Sequence, residues 1–345
     1  MTTPWTTDEL RRCVSPLPRV ELSHLPTPLE AWPRFAEALG GRVRVLAKRD
    51  DLTSTGCGGN KIRKLEFSLA AARAEGCDVI VHGLAGQSNY CRQTAAAAAR
   101  CGMKCVLVLA LDHKTGGVPQ GNLLLDHLFG AEVRMVAPAE QAAAKEAVMA
   151  ELRAQGHKPY LVGHRDEVFG AVGYALCLAE ILEQASAMGQ RIDAVCVSGR
   201  LGTTAGLVLG KRLLGFTGTV QSFHVAPSSS DEALRGPTVK VLNDAAAMLG
   251  SGERFTIDDV RNTDAYAGPH YGEPTPQCLE AMLLLGRTEG VVVSPVYTAK
   301  GLAGMVDFVR TGRIAAGSTV VFVHTGGLTE TFAYNEEVYR AAAGG

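Results

Sequence analysis

The chain has 345 residues, 46% of them hydrophobic and 20% charged, with a formal net charge of −1. This balance suits a folded chain with a sizeable core and argues against a polyanion such as nucleic acid as main partner. Apolar runs fall short of the roughly 18–20 residues that a bilayer-crossing helix needs, and the start, MTTPWTTDELRRCVSP, lacks the basic-then-apolar order of a secretory leader.

The first punctuated segment is GGNKIRKLEF (58–67), two glycines and an amide before an amphipathic helix. Ile62, Leu65, Leu69 and Ala72 recur at helical spacing and form its packed face, with Lys61 off that face in the first turn. An ammonium is disfavoured at a helix N-terminus. Lys61 is therefore either a solvated surface lysine or an amine used in its neutral, nucleophilic form. CDVIVHG (77–83) reads as a strand, and SNYCRQTAAAAARCG (88–102) as a helix. Ser88 and Asn89 suit its N-cap, where they either satisfy backbone N–H groups or help those groups grip an anion such as a substrate carboxylate.

Strands at 104–111, 131–136 and 159–163 then alternate with helices at 121–130, 138–156 and 171–185. Further strands are expected at 192–199, 219–225, 290–295 and 318–327, separated by helices. Such alternation predicts an α/β fold of parallel sheets covered on both faces, here as two sheets and hence two domains. In VSGRLGTTAGLVLG (197–210) a strand ends, Gly199 and Gly202 follow, and Thr203 and Thr204 open a helix; this is either a phosphate cradle or a plain strand–turn–helix. A dinucleotide site is not expected there, because no G-x-G-x-x-G follows a strand. Tyr271 and Tyr297 lie beside the glycine- and proline-rich turns GPHYGEPTP and SPVYTAKGLAG, as rim packing or acid–base groups, and HTGGLTETFAY follows at 324–334. The nine cysteines are odd in number and scattered, which reads as reduced thiols in a cytoplasmic protein. Cys101 and Cys105 lack a second pair at ligand spacing and read as small buried hydrophobes.

In this order, GGNKIRKLEF, GQSNYCRQTAAAA, SGRLGTTAG, PVYTAKGLAG and HTGG resemble the pyridoxal-phosphate (PLP) enzymes related to aminocyclopropane-carboxylate deaminase and D-cysteine desulfhydrase, of the tryptophan-synthase-β fold type (fold type II). The resemblance runs from about PTPLE (26–30) to HTGG. It implies two open, twisted, mostly parallel sheets flanked by helices, with a large PLP-binding domain of 1–60 plus 185–345 and a small domain of 61–184. It implies that Lys61 carries PLP in Schiff-base linkage and shuttles a proton. Asn89 would bond the cofactor's 3′-oxygen and Ser88 would face the substrate. Gly199, Gly202, Thr203 and Thr204 would form the phosphate loop, Tyr271 and Tyr297 would orient substrate or move protons, and Thr298 would meet the pyridine nitrogen. A small amino acid is the implied substrate, and a homodimer the implied assembly.

In this family the ring-opening deaminases carry glutamate where Thr298 stands, and the desulfhydrases carry threonine. A hydroxyl holds a ring-nitrogen proton less firmly than a carboxylate, which weakens the electron sink and favours prompt loss of a β-substituent. The expected reaction is therefore α,β-elimination to a 2-oxo acid and ammonia. The alternatives are aminocyclopropane-carboxylate deamination and a cysteate-type lyase. The chain departs from the family pattern at Tyr90, where glutamine or histidine is usual, and at Arg200 and Leu201 in the phosphate loop. His164 and Arg165, in GHRDEVFGAVGY, either select an anionic β-substituent or sit on a solvated loop.

Overall fold

The computed structural model describes residues 3–111 and 117–344. Among the described residues ten strands form two sheets: β1 (Leu29–Ala31), β2 (Arg44–Lys48), β3 (Val79–His82), β4 (Lys104–Ala110), β5 (Glu132–Val136), β6 (Pro159–Leu161), β7 (Ala194–Ser198), β8 (Thr219–Phe223), β9 (Asn262–Thr263) and β10 (Thr319–Val323). The larger sheet has the order β1-β2-β10-β7-β8-β9 and the smaller β5-β4-β3-β6. Every pairing is parallel except β1 with β2.

Side chains alternate across each strand, and here both faces of each sheet are buried. In the larger sheet Val195, Val197, Val321 and Val323 face one core, while Ala194, Cys196, Val320 and Phe322 face another. In the smaller sheet Val79, Val81, Val106 and Val108 face one cluster, and Ile80, Cys105, Leu107 and Leu109 face the other. Ile62, Leu65, Leu69 and Ala72 all enter that last cluster, the face expected from their spacing. All nine cysteines are free thiols; Cys105 is buried and Cys101 partly so.

Three expectations are corrected. Residues 290–295 form no strand; Val291 and Val293 are buried, but Val292 is exposed, and its carbonyl accepts from His324 Nε2 at 2.9 Å rather than from a neighbouring strand. The helix expected at 171–185 runs His164–Ala187, so GHRDEVFG is helical from its second residue, with the Asp166 carboxylate accepting from the Gly163 N–H at 2.7 Å. By length and hydropathy that helix could cross a bilayer, contrary to the expectation of no such apolar stretch. However, 72% of its apolar window is buried inside the protein.

A buried ionic network sits beneath the start of helix Ile62–Ala74. Arg63 donates to both Asp50 oxygens at 2.7 and 2.8 Å and also bonds Glu180, which pairs with the fully buried Lys48 at 2.7 Å. Thr27 and Tyr174 hydroxyls donate to the same Asp50 carboxylate at 2.7 and 3.0 Å. A charged group so buried is tolerated when its lone pairs and protons are used this completely. The network fixes the helix end that carries Lys61.

Candidate active site

The carboxyl ends of β3, β7, β8 and β10 open onto one cavity of about 540 Å³, the place where parallel sheets leave loops and helix N-termini free. Lys61, Ser88, Asn89, Tyr90, Gly199, Thr203, Tyr271, Tyr297 and Thr298 all line it. Gly202 and Thr204 lie behind the wall, in the first turn of helix Leu201–Leu213.

Lys61 is the N-cap residue of helix Ile62–Ala74 and makes no side-chain cap. Its N–H donates to Gln93 Oε1 and its Nζ to Asn60 Oδ1, both at 2.9 Å. The preceding turn needs glycine: Gly58 has φ of +75°, and a Cβ there would lie 1.9 Å from the Asp51 carbonyl oxygen. Burial, and then the Lys64 ammonium, lower the Lys61 amine from 10.5 to about 8, against the opposing charges of Glu167, Glu330 and Asp50. A substantial neutral fraction near pH 7.5 is what nucleophilic chemistry requires.

Ser88 alone is the N-cap of helix Asn89–Arg100; its Oγ accepts from the N–H groups of Tyr90 and Cys91 at 3.2 Å. Asn89 is the first helical residue. Its Nδ2 donates to Glu330 Oε2 at 2.6 Å, and its Oδ1 accepts from Asn122 at 3.1 Å.

In the 199–204 loop, Leu201 has φ of +48°, a left-handed conformation strained for leucine. Thr203 Oγ1 accepts from Asn60 Nδ2 at 3.2 Å, while the fully buried Thr204 Oγ1 has no partner among the described residues. Gly202 N–H donates to Glu167 Oε2 at 3.1 Å, and Glu167 Oε1 pairs with Lys64 at 2.6 Å. Burial opposes ionisation of Glu167, but the Lys64 ammonium overcomes it and holds the carboxyl below its ordinary value. A helix N-terminus beside a buried lysine favours an anion, and the Glu167 carboxylate meets both the Gly202 N–H and Lys64.

Tyr297 and Tyr271, which also line the cavity, are joined hydroxyl to hydroxyl. Burial, then the neighbouring Tyr271, push Tyr297 well above the ordinary phenol value, so it stays protonated. Thr298 opens helix Thr298–Arg310; its hydroxyl donates to the Gly326 carbonyl at 2.8 Å and meets Thr325 Oγ1 at 3.1 Å. Among the described residues lining the cavity, Glu167 is the one carboxylate.

Tyr90 packs edge-on against His82, 4.3 Å between ring centres, with the Lys64 ammonium 4.5 Å from its own ring centre. Its hydroxyl is buried without a partner among the described residues. His164 lines the cavity rim and pairs with Asp244 at 2.6 Å. Arg165 points away from the cavity to Glu75, which removes it from substrate selection. Arg200 lines the cavity while donating to the Ala233 carbonyl at 2.6 Å. Sequence reasoning missed Lys64, Glu167 and Glu330. Lys64 was within reach, three residues after Lys61 and so on the same helix face; Glu167 and Glu330 come close to the site only through tertiary packing.

Residues 20–326 match the profile of the family described as pyridoxal-phosphate dependent enzyme. The chain is 38% identical over 326 residues to the D-cysteine desulfhydrase of Klebsiella pneumoniae (strain 342), covering 92% of this chain and 96% of that one. The crystal structure of an ACC deaminase homologue superposes with a TM-score of 0.85 at 31% identity, over 96% of this chain and 99% of the other. A pyridoxal 5′-phosphate-dependent aspartate racemase superposes with a TM-score of 0.64 over 95% and 97% of the chains; at 18% identity it shows the shared fold alone.

Proposed function

The chain belongs to the pyridoxal-phosphate dependent enzyme family and is a PLP-dependent lyase of the elimination and deamination type, and from that premise we propose that it acts on D-cysteine or a closely similar small amino acid, releasing the β-substituent, ammonia and a 2-oxo acid. The observation that carries the proposal is the enclosed amine of Lys61, held partly neutral by its burial, in one cavity with Thr298.

The residues fit the cofactor. A buried amine is available for its aldehyde. The bare Thr204 hydroxyl and the N-terminus of helix Leu201–Leu213, with Lys64 beside them, suit its phosphate. PLP, when bound, supplies the electron sink that lets an amino acid lose its Cα proton. In our reading Lys61 holds the cofactor, and its Nζ, once free, takes the Cα proton. Ser88 and the N-terminus of helix Asn89–Arg100 hold the substrate carboxylate. Asn89 would hold the 3′-oxygen; Gly199, Gly202, Thr203 and Thr204 would hold the phosphate, and Thr298 would serve the ring nitrogen. Tyr297, kept protonated and coupled to Tyr271, gives a proton to the departing β-substituent. Tyr90 narrows the substrate side.

A second reading, ring opening of aminocyclopropane carboxylate, is favoured by the close superposition on the ACC deaminase homologue. Incubation of the purified protein and PLP with D- and L-cysteine, cysteate and aminocyclopropane carboxylate, scored for ammonia and 2-oxo acid, separates the two. Sulfide and pyruvate from cysteine support elimination; turnover of the cyclopropane alone overturns it. We further propose a cytoplasmic homodimer with neither nucleic acid nor membrane as partner. Its domains would be 1–60 with 185–345 and 61–184, and the long helix His164–Ala187 would join them.

A further inference from the structure

We propose that Glu330 is a positioning residue that fixes the Asn89 carboxamide with an N–H edge turned toward the cavity. This rests on the PLP reading and extends it to a residue outside the five motifs' cofactor contacts.

Glu330 follows the HTGG turn in the short helix Thr329–Tyr334 and is wholly buried. Its Oε1 has no partner among the described residues, so its burial demands a reason. Gly327 packs against both neighbours: a Cβ there would lie 2.3 Å from Ser294 Cβ and 3.1 Å from that same Oε1.

The hydrogen bonds form a directed chain. The Gln87 backbone carbonyl can only accept, and it takes an Asn122 Nδ2 hydrogen at 2.8 Å. The Thr329 hydroxyl donates to Asn122 Oδ1 on the opposite edge, so the Asn122 amide cannot be reversed. Asn122 Nδ2 also donates to Asn89 Oδ1 at 3.1 Å, which turns Asn89 Nδ2 to Glu330 Oε2 at 2.6 Å. Asn89 lines the cavity, its oxygen already engaged and one amide hydrogen held by Glu330. The second amide hydrogen is the group left to face a ligand. A donor at that point suits an oxyanion such as the cofactor's 3′-oxygen and would repel another donor. Burial keeps the Glu330 carboxyl well above its usual range, with Arg92 and Asn89 opposing. A proton taken up by Glu330 would sit on the bare Oε1 and leave Oε2 the acceptor that Asn89 requires.

The test compares wild type with Glu330→Met, which removes the acceptor, and Glu330→Gln, which keeps one. It measures the cofactor dissociation constant and the pH midpoint of the bound cofactor's visible absorption. Glu330→Met is expected to weaken cofactor binding about tenfold and to move the midpoint, the scale of one buried hydrogen bond; Glu330→Gln restores both. In the Asn89→Ala background, Glu330→Met adds no further change. Unchanged binding and midpoint in Glu330→Met, or effects additive with Asn89→Ala, overturn the proposal. Glu330→Ala serves in place of Glu330→Met if that variant fails to fold. If wild type itself takes up no cofactor at Lys61, it is the PLP reading that fails.

Discussion

The Lys61 amine gives the most quantitative prediction. Burial and the Lys64 charge lower it to about 8. At pH 7.5 about one quarter of such an amine is neutral, against roughly one part in 1,000 for a lysine at its ordinary value, a ratio of about 240. In the cofactor-free protein, a small amine-specific reagent should therefore label Lys61 far faster than surface lysines, with a rate that levels off above pH 8. The perturbation is Lys64→Met. It removes the repelling ammonium and also frees the Glu167 carboxylate from its partner; both changes favour a charged Lys61, so the plateau should move to higher pH while burial keeps it below 10.5. Mass spectrometry of the peptide containing residue 61 gives the rate. If Lys61 tracks surface lysines through pH 9, or Lys64→Met leaves its plateau unmoved, the electrostatic argument is wrong.

Arg63→Met leaves Asp50 charged and buried without its bidentate partner, and should cost about 3–5 kcal/mol in denaturant unfolding; a loss under about 1 kcal/mol would contradict this account of the network. Asp126 is wholly buried, and burial raises its carboxyl to about 8 against the pull of Arg92. Its folded-state value exceeds its unfolded value near 4, so its contribution is complete below about pH 4 and lost as pH rises toward 8. Between pH 5 and 7 wild type should lose about 2–3 kcal/mol relative to Asp126→Asn; parallel stability–pH curves would refute this. Tyr297→Phe, tested with whichever substrate is turned over, should lower kcat about a hundredfold with KM nearly unchanged. A change within threefold removes Tyr297 as the acid.

The sheets were legible because burial on both faces leaves continuous apolar runs such as VCV in β7 and VVFV in β10. The same criterion misjudged 290–295, where a valine-rich run buries alternate residues without pairing in a sheet. It also passed over β2, whose Lys48 looks solvated but is buried on Glu180. The segment GHRDEVFG reads as a loop because polar residues dominate its start, yet Asp166 caps it and Val168 and Phe169 enter the core. The candidate residues on strand ends and helix starts were singled out by the order of five motifs, and most of them line one cavity. Glu330 was not singled out, because a glutamate between two threonines says nothing of the asparagine it meets 241 positions earlier in the chain.

The central claim is that the amine after Asn60 carries the cofactor. Borohydride treatment of the protein loaded with pyridoxal phosphate, followed by digestion and mass analysis, tests it directly. The account predicts the phosphopyridoxyl mass on Lys61, in the peptide spanning GGNKIRKLEF. Its appearance on another lysine alone, or on none, would contradict it.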